Sequence, residues 1–328
     1  MNAKRVPLII VLITLAFCFG CHKSEKPIVA GPAPTGPVEL KIKWPLNRYI
    51  KQDMNVQQTV ETFVPNMPAP IKQEMNIGQQ VTLSVLKEDP DGSHEVQMEF
   101  VSARMVMANG NQGMEFDTSK APGTNALAQA LHNLPGARLR FVLDSKNEVT
   151  RVEGMEDFQK RMTTNQRDQT GILNSLFSEQ YFKQMMNQAK SMPPGPVSVG
   201  DSWPVQLEYS MGQLGTLVMD FTYTLKEWER CNDHNCARIE FSGTLKTKAG
   251  QSLRMAGINL NIQDGKSSGE TRFDLDAGMS TETTMNQDMV LILALPAQRG
   301  ATPGAARAPQ YLTNNLNQVI TVKMEPRK

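Results

Sequence analysis

The sequence predicts a mainly β protein: large antiparallel sheets in two related halves, with a helical insert between them. Three observations carry this. Long runs alternate apolar and polar residues with a period of two, as a strand with one buried face does. Short Asp, Gly and Pro clusters separate those runs, which makes neighbouring strands antiparallel. Four short motifs recur in the same order in the two halves. With 328 residues, 40% of them hydrophobic, the chain can bury a sizeable core. Its 34 basic and 33 acidic side chains lack the basic excess of a nucleic-acid binder, so no nucleic-acid partner is expected.

The N-terminal segment, residues 1–20, reads as a signal peptide. Lys4 and Arg5 precede a run without charge from Val6 to Phe19, too short to span a bilayer and suited to the apolar region of an export signal. The run ends in Cys18-Phe19-Gly20-Cys21, which resembles the lipobox of bacterial lipoproteins. Gly20 and Cys21 match it, whereas Cys18 stands where Leu is usual and Phe19 where a small residue is usual. The resemblance implies that Cys21 is acylated and becomes the new N-terminus. The alternative is a cleaved secretory signal with Cys21 incidental. Residues 21–37, rich in Pro, Gly and Ala, read as a flexible tether.

The first β-rich half is placed at 38–192. Val81, Leu83 and Val85 alternate with polar neighbours, as do Val96, Met98 and Phe100, and Asp89-Pro90-Asp91-Gly92 turns the chain between them. Thr124 is the expected cap of a short helix carrying Leu127, Ala128 and Leu131. A helical block fills 155–192. Met155, Phe158 and Met162 form its first apolar stripe, Ile172, Leu173, Leu176 and Phe177 its second, and Phe182, Met185 and Met186 its third, begun by Ser178. Pro193-Pro194-Gly195-Pro196 ends the block.

The second half, 193–328, carries the clearest strand: Leu217, Met219, Phe221, Tyr223 and Leu225 on one face. Ala237, Ile239 and Phe241, then Ile258, Leu260 and Ile262, repeat the pattern, with turns expected at Asp264-Gly265 and Ala277-Gly278. Residues 296–309 read as a mobile loop, and Val319 to Met324 as a last strand. The recurring motifs are Trp44-Pro45 and Trp203-Pro204, Leu86-Lys87-Glu88 and Leu225-Lys226-Glu227, Glu99-Phe100 and Glu240-Phe241, and Arg140-Phe141 and Arg272-Phe273.

Chemical motifs are few. Cys231 and Cys236 bracket a turn-forming stretch, and in an exported protein they read as a disulfide stapling a hairpin; a three-ligand metal site with His234 and a pair of free thiols are the alternatives. Gly200-Asp201-Ser202-Trp203 resembles the nucleophile block of the Gly-Asp-Ser-Leu esterases, but no Asp-x-x-His follows, and the plainer reading is a turn delivering Trp203 into a strand. No catalytic residue, cofactor or metal is expected. The 20 methionines fill an ordinary core or line a pliable apolar groove.

Val199-Gly200-Asp201-Ser202 before Trp203-Pro204, together with Asn286-Gln287-Asp288-Met289, is similar to an uncharacterised family of bacterial β-rich lipoproteins with a domain of unknown function. The resemblance spans about Val38 to Met324 and transfers no activity. It implies a cell-envelope protein, lipid-anchored, facing the periplasm or on the outer membrane. The favoured function is a non-enzymatic lipoprotein binding an apolar ligand, lipid or peptide, in a groove lined by Met and Leu. Its candidates are Phe182, Met185 and Met186 on a helical lid and Met219, Phe221 and Tyr223 on the sheet beneath. The alternative is an envelope scaffold or assembly protein without a cavity; a hydrolase has least support. The expected partners are the membrane, through the N-terminal lipid, and that ligand or another envelope protein.

Overall fold

The computed structural model describes residues 33–327, apart from 111, 122–125, 164–177, 187, 211–214, 232–233, 256–257 and 296–310. The expected signal segment (1–20), Cys21, Thr124, the expected second helical stripe and the expected loop at 296–309 lie outside the described residues.

The fold is one antiparallel sheet of thirteen strands. The first half contributes β1 (Tyr49–Phe63), β2 (Ile71–Glu88), β3 (His94–Asn109), β4 (Gln112–Asp117), β5 (Arg138–Leu143) and β6 (Val149–Glu153). The second contributes β7 (Ser202–Ser210), β8 (Thr216–Cys231), β9 (His234–Thr247), β10 (Leu253–Met255), β11 (Ile258–Asp274), β12 (Met279–Ala294) and β13 (Tyr311–Arg327). α1 (Ala126–His132) lies within the first half, between β4 and β5, whereas α2 (Met155–Thr163), α3 (Glu179–Met186) and a 3-10 turn at Gln188–Ser191 lie between β6 and β7.

Strand order across the sheet is β6-β5-β3-β2-β1-β13-β12-β11-β9-β8-β7, with β4 on β3 and β10 on β11. The order β6-β5-β3-β2-β1 is thus repeated by β12-β11-β9-β8-β7, and β13 stands between the two arrays. Register repeats too. Val96 faces Phe141 and Glu99 faces Arg138, as Ala237 faces Phe273 and Glu240 faces Glu270. In both halves the Leu-Lys-Glu motif sits on a β-bulge, between Val85 and Lys87 and between Leu225 and Glu227.

One turn expectation is corrected. Asp264-Gly265 lies inside β11, at a register shift between Ile262 and Asp264. Glycine is needed there for close approach and not for reversal: a Cβ on Gly265 would stand 2.4 Å from the Leu245 carbonyl oxygen. Gly243 and Gly269 are similarly tight, a Cβ meeting the Asp220 oxygen at 2.0 Å and the Thr284 oxygen at 2.2 Å. Phe221 and Phe241 pair across strands with these two glycines and cover them. Glycines backed by aromatic rings are a device for bending a sheet sharply.

The bend has a consequence at the edges. The outermost strands β6 and β7 both pack against α3, an eight-residue helix. The sheet therefore curls into an incomplete barrel whose seam is filled by α3. Ser178 caps that helix, its Oγ accepting the Tyr181 N–H at 3.2 Å. Phe182 of α3, Phe158 of α2 and Phe100 of β3 form a mutual ring cluster with centroids 5.4–6.2 Å apart, tying both helices to the first array. An isolated bridge, Val38 to Val197, joins the segments leading into β1 and β7.

Candidate functional site

The interior of the curled sheet holds the groove candidates. Phe182 and Met186 of α3 are buried, as are Met219, Phe221 and Tyr223 of β8, and Met185 is half-buried against the same core. The two stripes occupy different parts of it. Phe182 meets Phe100, Phe158 and Tyr181. Phe221 and Tyr223 instead join Trp203 and Phe241, with centroids 5.2–6.2 Å apart, and lie under Ser191 and Met192 beyond α3. Strand order causes this separation, because β3 and β8 lie in different arrays.

A cavity of about 10 Å³ lies among Trp203, Phe221, Tyr223, Phe241, Met192 and Met285. That is room for roughly one water, so these side chains fill their own site. The hydroxyls of its floor are satisfied: Thr283 Oγ1 donates to Thr271 Oγ1 at 2.6 Å, which donates to the Glu282 carbonyl at 2.9 Å. Burial pushes the Tyr223 phenol well above its usual range, which keeps it protonated. The Trp203 indole N–H donates to the Ser191 carbonyl at 3.0 Å and pins the 3-10 turn over the pocket.

A second feature borders the pocket. Gln58 of β1 faces Gln318 of β13, Gln318 faces Gln287 of β12, and Gln287 faces Ser267 of β11. The next positions in this row are Gly243 and Phe221. All four polar side chains are buried, Gln287 to 1% and Gln318 to 2% exposure. At ~4.8 Å between strands the row runs about 14 Å across the sheet. Apolar rows flank it, Val56-Ile320-Met285 on one side and Val60-Leu316-Met289 on the other. Gln287 Oε1, Gln318 Nε2, Gln318 Oε1 and Ser267 Oγ have no hydrogen-bond partner among the described residues, and Gln287 Nε2 reaches only Met285 Sδ, at 3.6 Å. A buried polar atom left so costs about 1–3 kcal/mol. Sequence reading missed this row. Its signal is a single amide where an alternating strand should place an apolar residue: Val56-x-Gln58-x-Val60, Met285-x-Gln287-x-Met289 and Leu316-x-Gln318-x-Ile320.

The remaining motifs resolve into structure. Cys231 and Cys236 form a disulfide across the β8–β9 hairpin, with Cα atoms 5.7 Å apart. His234 Nδ1 lies 2.9 Å from Asp274 Oδ2 and 4.0 Å from Asp276 Oδ2, a grouping with metal-ligand chemistry. Asp274 Oδ1 is already engaged, accepting the Asp276 and Ala277 N–H groups, and Lys43 Nζ donates to the Leu275 carbonyl beside it. This is a turn locked by its own partners. Ser202 opens β7, its Oγ 2.8 Å from Thr224 Oγ1, and Asp201 accepts the Ser198 N–H at 2.8 Å, while Trp203 turns into the core.

The model of a family of unknown function, DUF6263, matches residues 91–280. The chain belongs to this family. The matched part runs from the β2–β3 turn to the first residues of β12, so it holds α3 and β8 but leaves Gln58, Gln287 and Gln318 outside. No curated protein matches the chain. Among solved structures, DynF from the dynemicin biosynthesis pathway of Micromonospora chersina shares 9% identity over 92% of each chain, with a TM-score of 0.17. An outer membrane channel of Pseudomonas putida F1 shares 7% over 89% of this chain and 100% of its own, at 0.22. Pseudomonas aeruginosa OccK7 shares 8% over 86% and 100%, at 0.21. Scores this low carry no weight for function. No helix among the described residues is long and apolar enough to cross a membrane.

Proposed function

We propose that this family member is a non-enzymatic carrier of a long-chain apolar ligand, held at the cell envelope by a lipid on Cys21. The observation that carries the carrier reading is the seam. Its two strands, β6 and β7, are bridged by the side chains of α3 and not by a strand ladder, so the interior opens without breaking sheet hydrogen bonds. Methionines 98, 219, 285 and 289 on the inner face would repack around an occupant.

Magnitudes set the ligand. Withdrawing Phe182 and Met186 from the core forfeits about 3–6 kcal/mol at about 1.5–3 kcal/mol per side chain. A chain of about eight methylenes returns about 6 kcal/mol, which barely offsets that, whereas about sixteen return about 13 kcal/mol. Binding should therefore set in only for long chains. The test titrates delipidated protein with the neutral dye N-phenyl-1-naphthylamine and competes it with acyl methyl esters of rising length. Saturable dye binding, displacement by sixteen-carbon but not eight-carbon chains, and at least tenfold weaker binding by a folded Met185→Glu variant are expected. No saturable binding by the parent would favour a scaffold, a reading to which exposed Phe63, Met67 and Tyr311 lend some support.

A further inference from the structure

We infer that the Gln58-Gln318-Gln287-Ser267 row recognises the uncharged ester or amide linkage of an acyl ligand, and that the site refuses a free carboxylate. The inference rests on the carrier reading above and names the ligand class for that interior.

The row offers both halves of a hydrogen bond without charge. Gln318 Nε2 donates to a carbonyl; Gln318 Oε1 and Gln287 Oε1 accept from an amide N–H or a hydroxyl; Ser267 Oγ does either. These atoms are buried on the inner face and have no hydrogen-bond partner among the described residues. They form a band one residue deep. Val56, Ile320 and Met285 above it and Val60, Leu316 and Met289 below it give hydrocarbon a surface on both sides of a polar linkage. The row ends at Gly243 and Phe221, the rim of the aromatic pocket, so a chain leaving the linkage that way meets Trp203, Tyr223 and Phe241.

Charge selects among acyl species. Apart from the phenols of Tyr209 and Tyr223, neutral when protonated, the only ionisable group among the described buried residues is Asp274, at the far hairpin beside His234. No Lys, Arg or His stands in the row or its flanking rows. A carboxylate placed there would be desolvated without a counter-ion, so a fatty acid must enter protonated. A glycerol ester or an N-acyl amide meets no such barrier.

The test uses the full chain with dye bound as above and compares 1-monooleoylglycerol with oleate as competitors, for the parent and for Gln287→Leu/Gln318→Leu. At pH 7.5 the parent is expected to prefer the monoacylglycerol at least tenfold, and the preference should narrow as pH falls toward 5. The double variant should lose most of the preference and unfold at no lower temperature than the parent. Should it fail to fold, Ser267→Ala and Gln318→Met, each smaller in effect, should reduce the preference at least twofold. Equal competition by the two lipids, a preference unchanged by these substitutions, or a double variant that folds but melts well below the parent would overturn the inference while leaving the carrier reading intact. Absence of dye binding by the parent overturns the carrier reading and this inference with it.

Discussion

Replacing Gly243 by Ala puts a methyl group where the bent sheet has no space. The added carbon would stand 2.0 Å from the Asp220 carbonyl oxygen, 2.6 Å from Phe221 Cδ1 and 2.8 Å from Phe221 Cα. Two of those three atoms are backbone, so rotation of a side chain relieves little, and β8 and β9 must part. Overpacking of a rigid site costs about 1–3 kcal/mol and sometimes more, and backbone obstruction places this case near 3 kcal/mol. For a chain of this size 1 kcal/mol moves the melting temperature by about 2–4 °C, so a fall of about 6–12 °C is expected by circular dichroism. Gly78→Ala is the control. Nothing lies within 4 Å of its added carbon, and its backbone is of a kind any residue adopts. A gain of about 0.4–1 kcal/mol through the unfolded state is expected there. Urea midpoints should move with the same signs, at unchanged slope. If Gly243→Ala melts with the parent, or Gly78→Ala falls as far as Gly243→Ala, glycine-directed bending is not what shapes this sheet.

On the proposal that acyl chains on Cys21 supply the anchor, Cys21→Ala is expected to move the protein from the membrane fraction to the soluble one on cell fractionation; equal retention by the variant would rule the lipid out. Mass spectrometry of unreduced peptides should recover Cys231 and Cys236 linked, and Cys231→Ser/Cys236→Ser should lose about 2 kcal/mol or less in urea, because the closed loop is short; two free thiols in purified exported protein would contradict the pairing.

Much of the fold was readable because burial on one face leaves a period of two. Leu217 to Leu225 and Val96 to Phe100 are strands with those residues inward, as alternation requires. Ser178 was readable as a helix start because a hydroxyl at that point satisfies an orphan N–H. Neighbourhood was not readable. Two apolar stripes look like partners in a linear sequence, yet Phe182 and Phe221 answer to different arrays. Asp264-Gly265 carries turn residues, but whether glycine reverses a strand or bends it depends on what crosses it. The glutamine row was hardest, since Gln58 and Gln318 meet only through a pairing across the whole domain.

The position of β13 bears on how the molecule comes to exist. It hydrogen-bonds to β1 along fifteen paired positions and to β12 on its other side. Until it is made, each array ends in a long strand with one unpaired edge, β1 in one and β12 in the other, both able to template wrong pairing. Closure therefore waits on a late segment that must slot between two nearly complete arrays, and contacts so distant in sequence form slowly. The window of risk falls between synthesis of β12 and docking of β13. A chaperone that shields bare strand edges would act there, and point changes that slow the docking of β13 would show first as aggregation and only later as lost stability.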